Sequence, residues 1–271
     1  MLKSLLITVT DYKKANHNAL KFMIASYKAQ LNVLSFDNIV VLYPEKNFPQ
    51  DFREYLIAQQ IETYSFDIDI LEDTYKVKLL LIDFVRNHSD CYDSIFYIDP
   101  DHLFIKPLTV KSIIPVSGSL YVSSEVVFVD KNIELTTNYF MDRYYNTSII
   151  FGSSASWLSI IDNYSKTYEE LFFLSSYRHR EEIAFTIASK LSSIALIPVP
   201  ELFQSNFKLF NKNCIVFHYG GESDDAHMVK KCMSYANIEL IYESLIDLSK
   251  NTSFIKGQWV AKIIVELLKD K

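Results

Sequence analysis

The sequence predicts an α/β fold, a mixed sheet flanked by helices with further helices at the C-terminus. Three observations predict it. Short apolar runs rich in β-branched residues alternate with stretches of 3.6-residue apolar periodicity over the first hundred residues. Each strand-like run ends on Asp, Pro or another turn-forming residue. The 271 residues are 49% hydrophobic and 22% charged, which excludes a disordered chain. A chain of this size buries about three quarters of its unfolded surface.

The elements follow in order. Residues 5–10, Leu-Leu-Ile-Thr-Val-Thr, read as a buried strand that ends at Asp11-Tyr12. Asn16 is placed to cap a helix carrying Leu20, Met23, Ile24, Tyr27 and Leu31 at helical spacing. Residues 39–43 form a second strand, stopped by Pro44. A second helix after Pro49 carries Phe52, Tyr55, Leu56 and Gln59, and residues 61–66 alternate as a third strand. Residues 75–87 carry Leu79, Leu80, Ile82, Phe84 and Val85 as a third helix, and residues 94–98 are a fourth strand. This β-α-β-α-β-α-β order is that of a parallel sheet covered by helices, with ligands bound along the carboxyl edge of the strands. The second half is mixed. Strand-like runs at 119–129, 146–151, 194–198 and 214–217 alternate with helical stretches at 156–174 and 180–191, and the region from Tyr235 is helical. The two halves are expected to share one sheet.

Composition narrows the function. Lys and Arg number 27 against 33 Asp and Glu, a net charge of −6, so no nucleic-acid partner is expected. Five glycines leave no GxGxxG or GxxxxGK[ST] loop. No apolar run approaches the roughly 20 residues that span a bilayer. The N-terminal apolar run lacks a small-residue cleavage site and reads as a strand rather than a signal peptide. Cys91, Cys214 and Cys232 are scattered without CxxC spacing, which suggests reduced thiols and a cytoplasmic location.

The most informative segment is Ser94-Ile-Phe-Tyr-Ile-Asp-Pro-Asp-His-Leu-Phe104. An apolar strand delivers Asp99 and Asp101 to its carboxyl end, two residues apart and on one face of an extended chain. Two such carboxylates repel unless a cation neutralises them, and hard oxygen ligands suit Mg²⁺ or Mn²⁺. A metal there would hold a diphosphate and stabilise it as a leaving group. The bland alternative is a solvated turn around Pro100.

This segment, with the order of elements, resembles the DxD region of GT-A-fold glycosyltransferases, closest in pattern to glycosyltransferase family 8. The resemblance spans residues 5–221 and implies a Rossmann-type GT-A sheet, a catalytic domain over 1–234 and a helical extension over 235–271. It implies transfer of a hexose from a nucleoside diphosphate sugar, UDP-linked, to a glycan or lipid-linked acceptor hydroxyl, with retention at the anomeric carbon and Mn²⁺ (or Mg²⁺) as cofactor. Asp99, Asp101 and His218, the last in Val216-Phe-His-Tyr-Gly-Gly221, are the implied metal ligands, and an imidazole suits Mn²⁺ better than Mg²⁺. Gly220 and Gly221 would let the backbone approach the diphosphate. Thr8, Asp11 and Tyr12 resemble the segment that contacts the nucleoside. Lys78, with Lys76 as its alternative, matches a basic residue near the phosphates. Asn146, in Tyr145-Asn-Thr-Ser148, matches the Asn-x-Gly segment facing the donor sugar, with Ser148 where the family prefers Gly. Glu181 and Glu182 match the acidic motif that opens a helix toward the sugar, although carboxylates in a first turn also suit the helix dipole. If the enzyme inverts, one of these two becomes the general base.

Two other readings compete. A haloacid-dehalogenase-like phosphatase also places DxD after an apolar strand, with the first Asp as nucleophile, but after the first strand and with Thr following. A non-catalytic sugar-binding or partner-binding module is the other. Residues 258–271 carry Val260, Ile263, Ile264, Leu267 and Leu268 as one apolar stripe, with Trp259 and Lys256, Lys262, Lys269 and Lys271 around it. Such a helix packs on the domain, or lies in an anionic membrane interface as a peripheral contact at the inner face.

Overall fold

The computed structural model describes residues 3–29, 36–68, 74–104, 106, 115–124, 126–127, 144–171, 179–200, 203–206 and 214–218. In chain order the strands are β1 (Ser4–Val9), β2 (Asn38–Pro44), β3 (Glu62–Phe66), β4 (Ser94–Ile98), β5 (His102–Phe104), β6 (Ser119–Val122), β7 (Val126–Val127), β8 (Tyr144–Tyr145), β9 (Ile149–Ser153), β10 (Ala195–Pro198), β11 (Gln204–Asn206) and β12 (Val216–His218). The α-helices are α1 (Lys14–Ala29), α2 (Gln50–Ala58), α3 (Leu80–His88), α4 (Ser154–Glu170) and α5 (Arg180–Leu191). The chain divides into two compact units. Met1–Tyr12, Phe36–Asp99 and Ile113–Val199 make the first; Lys13–Ser35, Pro100–Ser112 and Pro200–Lys271 make the second.

The first unit is built on a seven-stranded sheet in the order β10-β6-β9-β4-β1-β2-β3. The expected β-α-β-α-β-α-β half is its parallel part, since β1 pairs in parallel with both β2 and β4, and β2 with β3. β9 runs antiparallel to β4 and β6, and β10 runs parallel to β6. The two halves of the sequence therefore do share one sheet. β1 lies inside it and is buried along its whole length, which is why its sequence is apolar at every position but Ser4 and Thr8 rather than alternating.

Helices supply the rest of the core. Leu80, Leu81, Phe84 and Val85 of α3 pack with Trp157, Ile160 and Tyr164 of α4 and Ile183 and Phe185 of α5. The Trp157 indole N–H donates to the Ile95 carbonyl at 3.0 Å, so the largest buried ring also satisfies its one donor. α4 starts where Ser153 caps it: its Oγ accepts from the Ser156 N–H at 3.1 Å.

The second unit holds a three-stranded sheet in the order β11-β12-β5, with β12 parallel to β11 and antiparallel to β5. α1 packs on β5. Tyr27 meets Phe104 edge to face at 5.3 Å, and the Phe104 N–H donates to Ser26 Oγ at 3.0 Å. Leu20, Met23, Ile24 and Tyr27 are buried, as their spacing required. Leu31 lies outside the described residues.

Three local expectations are corrected. α1 begins at Lys14, because the His17 N–H closes on the Lys13 carbonyl; Asn16 sits in the first turn instead of capping it. The helix expected over 75–87 is two pieces, a 3-10 segment (Thr74–Leu79) and then α3. The tighter winding buries Val77 and Lys78 side by side, and apolar periodicity cannot register a buried cation. The strand expected to stop before Gly152 continues through it. The C-terminal helices, including the stripe at 258–271, lie outside the described residues. No described helix is long and apolar enough to cross a membrane.

Gly152 has a packing reason. A Cβ there would meet Leu120 Cδ2 at 2.5 Å and the Ser119 carbonyl at 3.1 Å, so β9 lies close against β6 only because position 152 lacks a side chain. Gly152→Val is expected to lower stability by roughly 1–3 kcal/mol, read as a lower urea midpoint with an unchanged slope.

Candidate functional site

The first unit buries an ionic cluster. α5 opens with Glu181 and Glu182 in its first turn, where carboxylates oppose the positive end of the helix dipole. Its start is anchored by Arg180, whose Nε and Nη2 donate to the Tyr168 carbonyl at 3.1 and 2.6 Å, with the guanidinium 4.1 Å from the Tyr168 ring. Lys78 reaches in from the 3-10 segment. Its ammonium lies 2.7 Å from Glu181 Oε1, 3.0 Å from Thr147 Oγ1 and 3.2 Å from Asp99 Oδ2. Thr147 donates to the other Glu181 oxygen at 2.5 Å, and the Tyr97 hydroxyl donates to Asp99 Oδ1.

Asp99 is also fixed through its backbone. Its N–H donates to the Ser148 carbonyl at 2.8 Å, and the Ser148 N–H donates to Asn146 Oδ1 at 2.9 Å. This side-chain turn holds the Asn146–Ser148 segment without a glycine. Among the described residues positive φ outside glycine is confined to Asn47, Gln60 and Ser193, so Ser148 carries no strain where the resembling pattern has Gly. Asn146 Nδ2 donates to Glu182 Oε1 at 3.4 Å, and His179 Nδ1 lies 3.2 Å from the same oxygen. Glu182 Oε2 is buried and accepts no hydrogen bond among the described residues.

Three carboxylates face one ammonium, and the electrostatics follow. Burial pulls Lys78 down, but Asp99 and Glu181 together outweigh it and hold the ammonium well above its ordinary range. Burial, reinforced by Glu182 and Asp99, pushes the Glu181 carboxyl up to about 8 against the pull of Lys78. The cluster therefore keeps its cation and holds a proton on Glu181 near neutral pH. Burial, then Asp99, raises the Tyr97 phenol in the same way.

The second unit gathers a different set. β12 and β5 pair in the register His218↔His102, placing two imidazoles side by side. The rings stack at 4.3 Å with 2° between their planes. His218 Nε2 lies 3.2 Å from Asp101 Oδ2, and His102 Nδ1 lies 3.2 Å from Asp101 Oδ1. Burial alone would raise the Asp101 carboxyl, but His218 and then His102 outweigh it and hold it well below the usual carboxylate range. Asp101, His102 and His218 each offer a ligand atom, and these lie within 4.8 Å of one another. Asp101 Oδ1 is buried yet accepts no hydrogen bond among the described residues. An orphaned carboxylate oxygen beside two imidazoles fits a divalent cation.

The sequence-predicted residues fall as follows. Asp101 and His218 come together across 117 residues. Lys78, Asp99 and Glu181 come together, as do Asn146 and Glu182. Lys78 is 8% exposed and engaged by two carboxylates, so it is no solvated helix face. Thr8 and Asp11 are buried around the end of β1, and Tyr12 packs on the core beside them. Gly220 and Gly221 lie outside the described residues. Sequence reading missed His102, Tyr97 and Thr147. His102 carried a signal, since it follows the DxD directly in a segment that also carries Leu103 and Phe104.

No family model matches the chain, and no curated protein matches it in sequence. Among solved structures it is similar to one titled "WbbM bifunctional glycosytransferase apo structure", at a TM-score of 0.52 and 12% sequence identity. The match covers 90% of this chain and 52% of the other, so this chain spans about half the length of that one. The likeness shows a shared fold, and the α/β architecture with its mixed sheet flanked by helices is GT-A-like.

Protonated Glu181 sets a pH dependence. A folded-state carboxyl raised from 4.5 to about 8 binds a proton that the unfolded chain has lost between those values. Its stabilisation is complete below the lower value and is lost as pH rises to the upper one, at up to about 1.4 kcal/mol per pH unit. Glu181→Gln removes this slope while keeping an oxygen for Lys78. Melting temperature against pH is expected to fall less steeply between pH 5 and 8 in Glu181→Gln than in the wild type. Histidine titrations in that window belong to both proteins and cancel in the comparison.

Proposed function

We propose that this chain is a metal-dependent glycosyltransferase that moves a hexose from a UDP-linked sugar to a hydroxyl of a glycan or lipid-linked acceptor. The observation that carries the reading is the meeting of Asp101 and His218 at 3.2 Å, the carboxylate–imidazole pair that the DxD resemblance implied. The GT-A-like fold and the structural neighbour titled a glycosyltransferase support it.

In this reading Asp101 and His218 hold Mn²⁺, with Asp99 as the further DxD candidate. A divalent cation there supplies positive charge that offsets the charge developing on a departing diphosphate. Thr8, Asp11 and Tyr12 hold the nucleoside, and Gly220 and Gly221 let the backbone approach the diphosphate. Lys78 keeps its charge beside Asp99 and Glu181. Glu181 accepts from Lys78 on one oxygen and from Thr147 on the other. Glu182 Oε2 is open to accept one from a sugar hydroxyl, and Asn146 fixes the Glu182 carboxylate in place. An enzyme that inverts would take its general base from Glu181 or Glu182, the two carboxylates that open α5. Retention, as the family 8 resemblance implies, leaves both to orient the sugar. A cytoplasmic location with peripheral membrane contact through residues 258–271 would suit a lipid-linked acceptor.

The test pairs activity with binding. Mn²⁺ and a panel of nucleotide sugars are expected to give donor hydrolysis that EDTA abolishes. Turnover of phosphomonoesters instead would favour the phosphatase reading. Asp101→Ala is expected to weaken Mn²⁺-dependent UDP binding at least tenfold by calorimetry while far-UV circular dichroism stays unchanged. Equal affinity in wild type and variant would overturn the metal assignment.

A further inference from the structure

We propose that His102 is a third protein ligand of the cation held by Asp101 and His218, and that this carboxylate-plus-two-imidazole set selects a transition-metal dication over Mg²⁺. The inference rests on the metal-dependent reading above and adds a residue that the DxD resemblance does not supply.

The register of the second unit's sheet makes the case first. In the β12–β5 pair, His218 stands opposite His102, and directly opposed residues present their side chains on the same face. The rings lie parallel, and each turns a nitrogen toward a different oxygen of one carboxylate, both at 3.2 Å. Neighbouring donors around an octahedral ion bound at roughly 2.1 Å stand about 3.0 Å apart. Both nitrogen–oxygen separations are near that edge, and because the stacked rings aim their in-plane lone pairs along parallel planes, a shared ion requires one imidazole to turn about its Cβ–Cγ bond.

Asp101 then makes a second argument. Its Oδ1 is buried and lacks a hydrogen bond even though His102 Nδ1 is the atom that faces it. A buried acceptor left without a donor is costly. A cation seated between the carboxylate and the imidazole would satisfy that oxygen and use the His102 lone pair at the same time.

His102 also has the outer partner that metal-bound histidines use. Gln204 Nε2 lies 3.2 Å from His102 Nε2, on the ring nitrogen away from Asp101. An amide can present its oxygen or its nitrogen to a neighbour. Ligation through Nδ1 requires the amide turned over from this arrangement, its oxygen toward Nε2, so that the ring carries its proton there and leaves the Nδ1 lone pair facing Asp101. His102 is fully buried, so this ring is held by packing as well as by Gln204.

The donor set decides the metal. Mg²⁺ takes oxygen ligands and keeps its waters, whereas imidazole favours Mn²⁺, Fe²⁺, Co²⁺ and Zn²⁺. Two imidazoles strengthen that preference over one.

Nitrogen counting tests the assignment without relying on turnover. The full chain is loaded with Mn²⁺, with and without UDP, and directly bound ¹⁴N is counted by electron spin-echo envelope modulation. Two nitrogens are expected in the wild type and one in each of His102→Gln and His218→Gln. Mn²⁺ preference over Mg²⁺, from competition titration, is expected to fall at least tenfold in His102→Gln. One nitrogen in the wild type overturns the proposal, whichever variant removes it, and leaves the metal-dependent reading standing. Bound Mn²⁺ with no nitrogen overturns both His assignments. Absence of Mn²⁺ binding under both conditions overturns the metal-dependent reading itself. The wild-type count decides even if His102→Gln does not fold, and circular dichroism shows whether it does.

Discussion

The placement of Lys78 is the constraint on which the first unit's interior depends. An ammonium buried in a protein costs several kcal/mol unless it is paired and hydrogen-bonded. Here three separate segments supply the partners: Asp99 from the end of β4, Thr147 from the turn before β9, and Glu181 from the start of α5. None of these can shift without uncovering charge. The need to satisfy one cation thus fixes the strand end, the turn and the helix start relative to one another. It does so where an apolar core would tolerate sliding. Burial, with Glu182 and Asp99 close by, pushes the Glu181 carboxyl up against the pull of that cation.

The second unit solves a related problem with different chemistry. Its charged residue is a carboxylate, Asp101, and its partners are neutral-or-cationic rings whose state adapts to their surroundings. A lysine pair is committed to one charge state. An imidazole pair can serve as donors or acceptors, a versatility that the Lys78 ammonium lacks.

The alternation of strands and helices was legible because it is written in apolar spacing. β4 and α5 match their expected bounds, and β1 was recognised as buried from a short apolar run. The pairing of Asp101 with His218 was legible through resemblance alone, since no local pattern links positions 117 apart. What escaped the sequence was polar burial. Lys78 was picked out through resemblance as a basic residue near the phosphates, but nothing in its spacing announced its burial, and the break between the 3-10 segment and α3 left no apolar signature. His102 was overlooked because its role depends on which residue faces it across a strand pair, and register is a tertiary property.

The β12–β5 pairing also orders events during synthesis. β5 leaves the ribosome well before its partner, and the 117 residues between Asp101 and His218 take on the order of 6–23 s to make at 5–20 residues per second. Throughout that interval β5 has an open edge, and Asp101 has none of its distant partner. The antiparallel pair that aligns the two imidazoles is therefore among the later long-range contacts available to the growing chain. The carboxylate–imidazole cluster then marks how far synthesis has gone: a chain stalled before β12 would carry Asp101 and His102 and lack the ring that faces them.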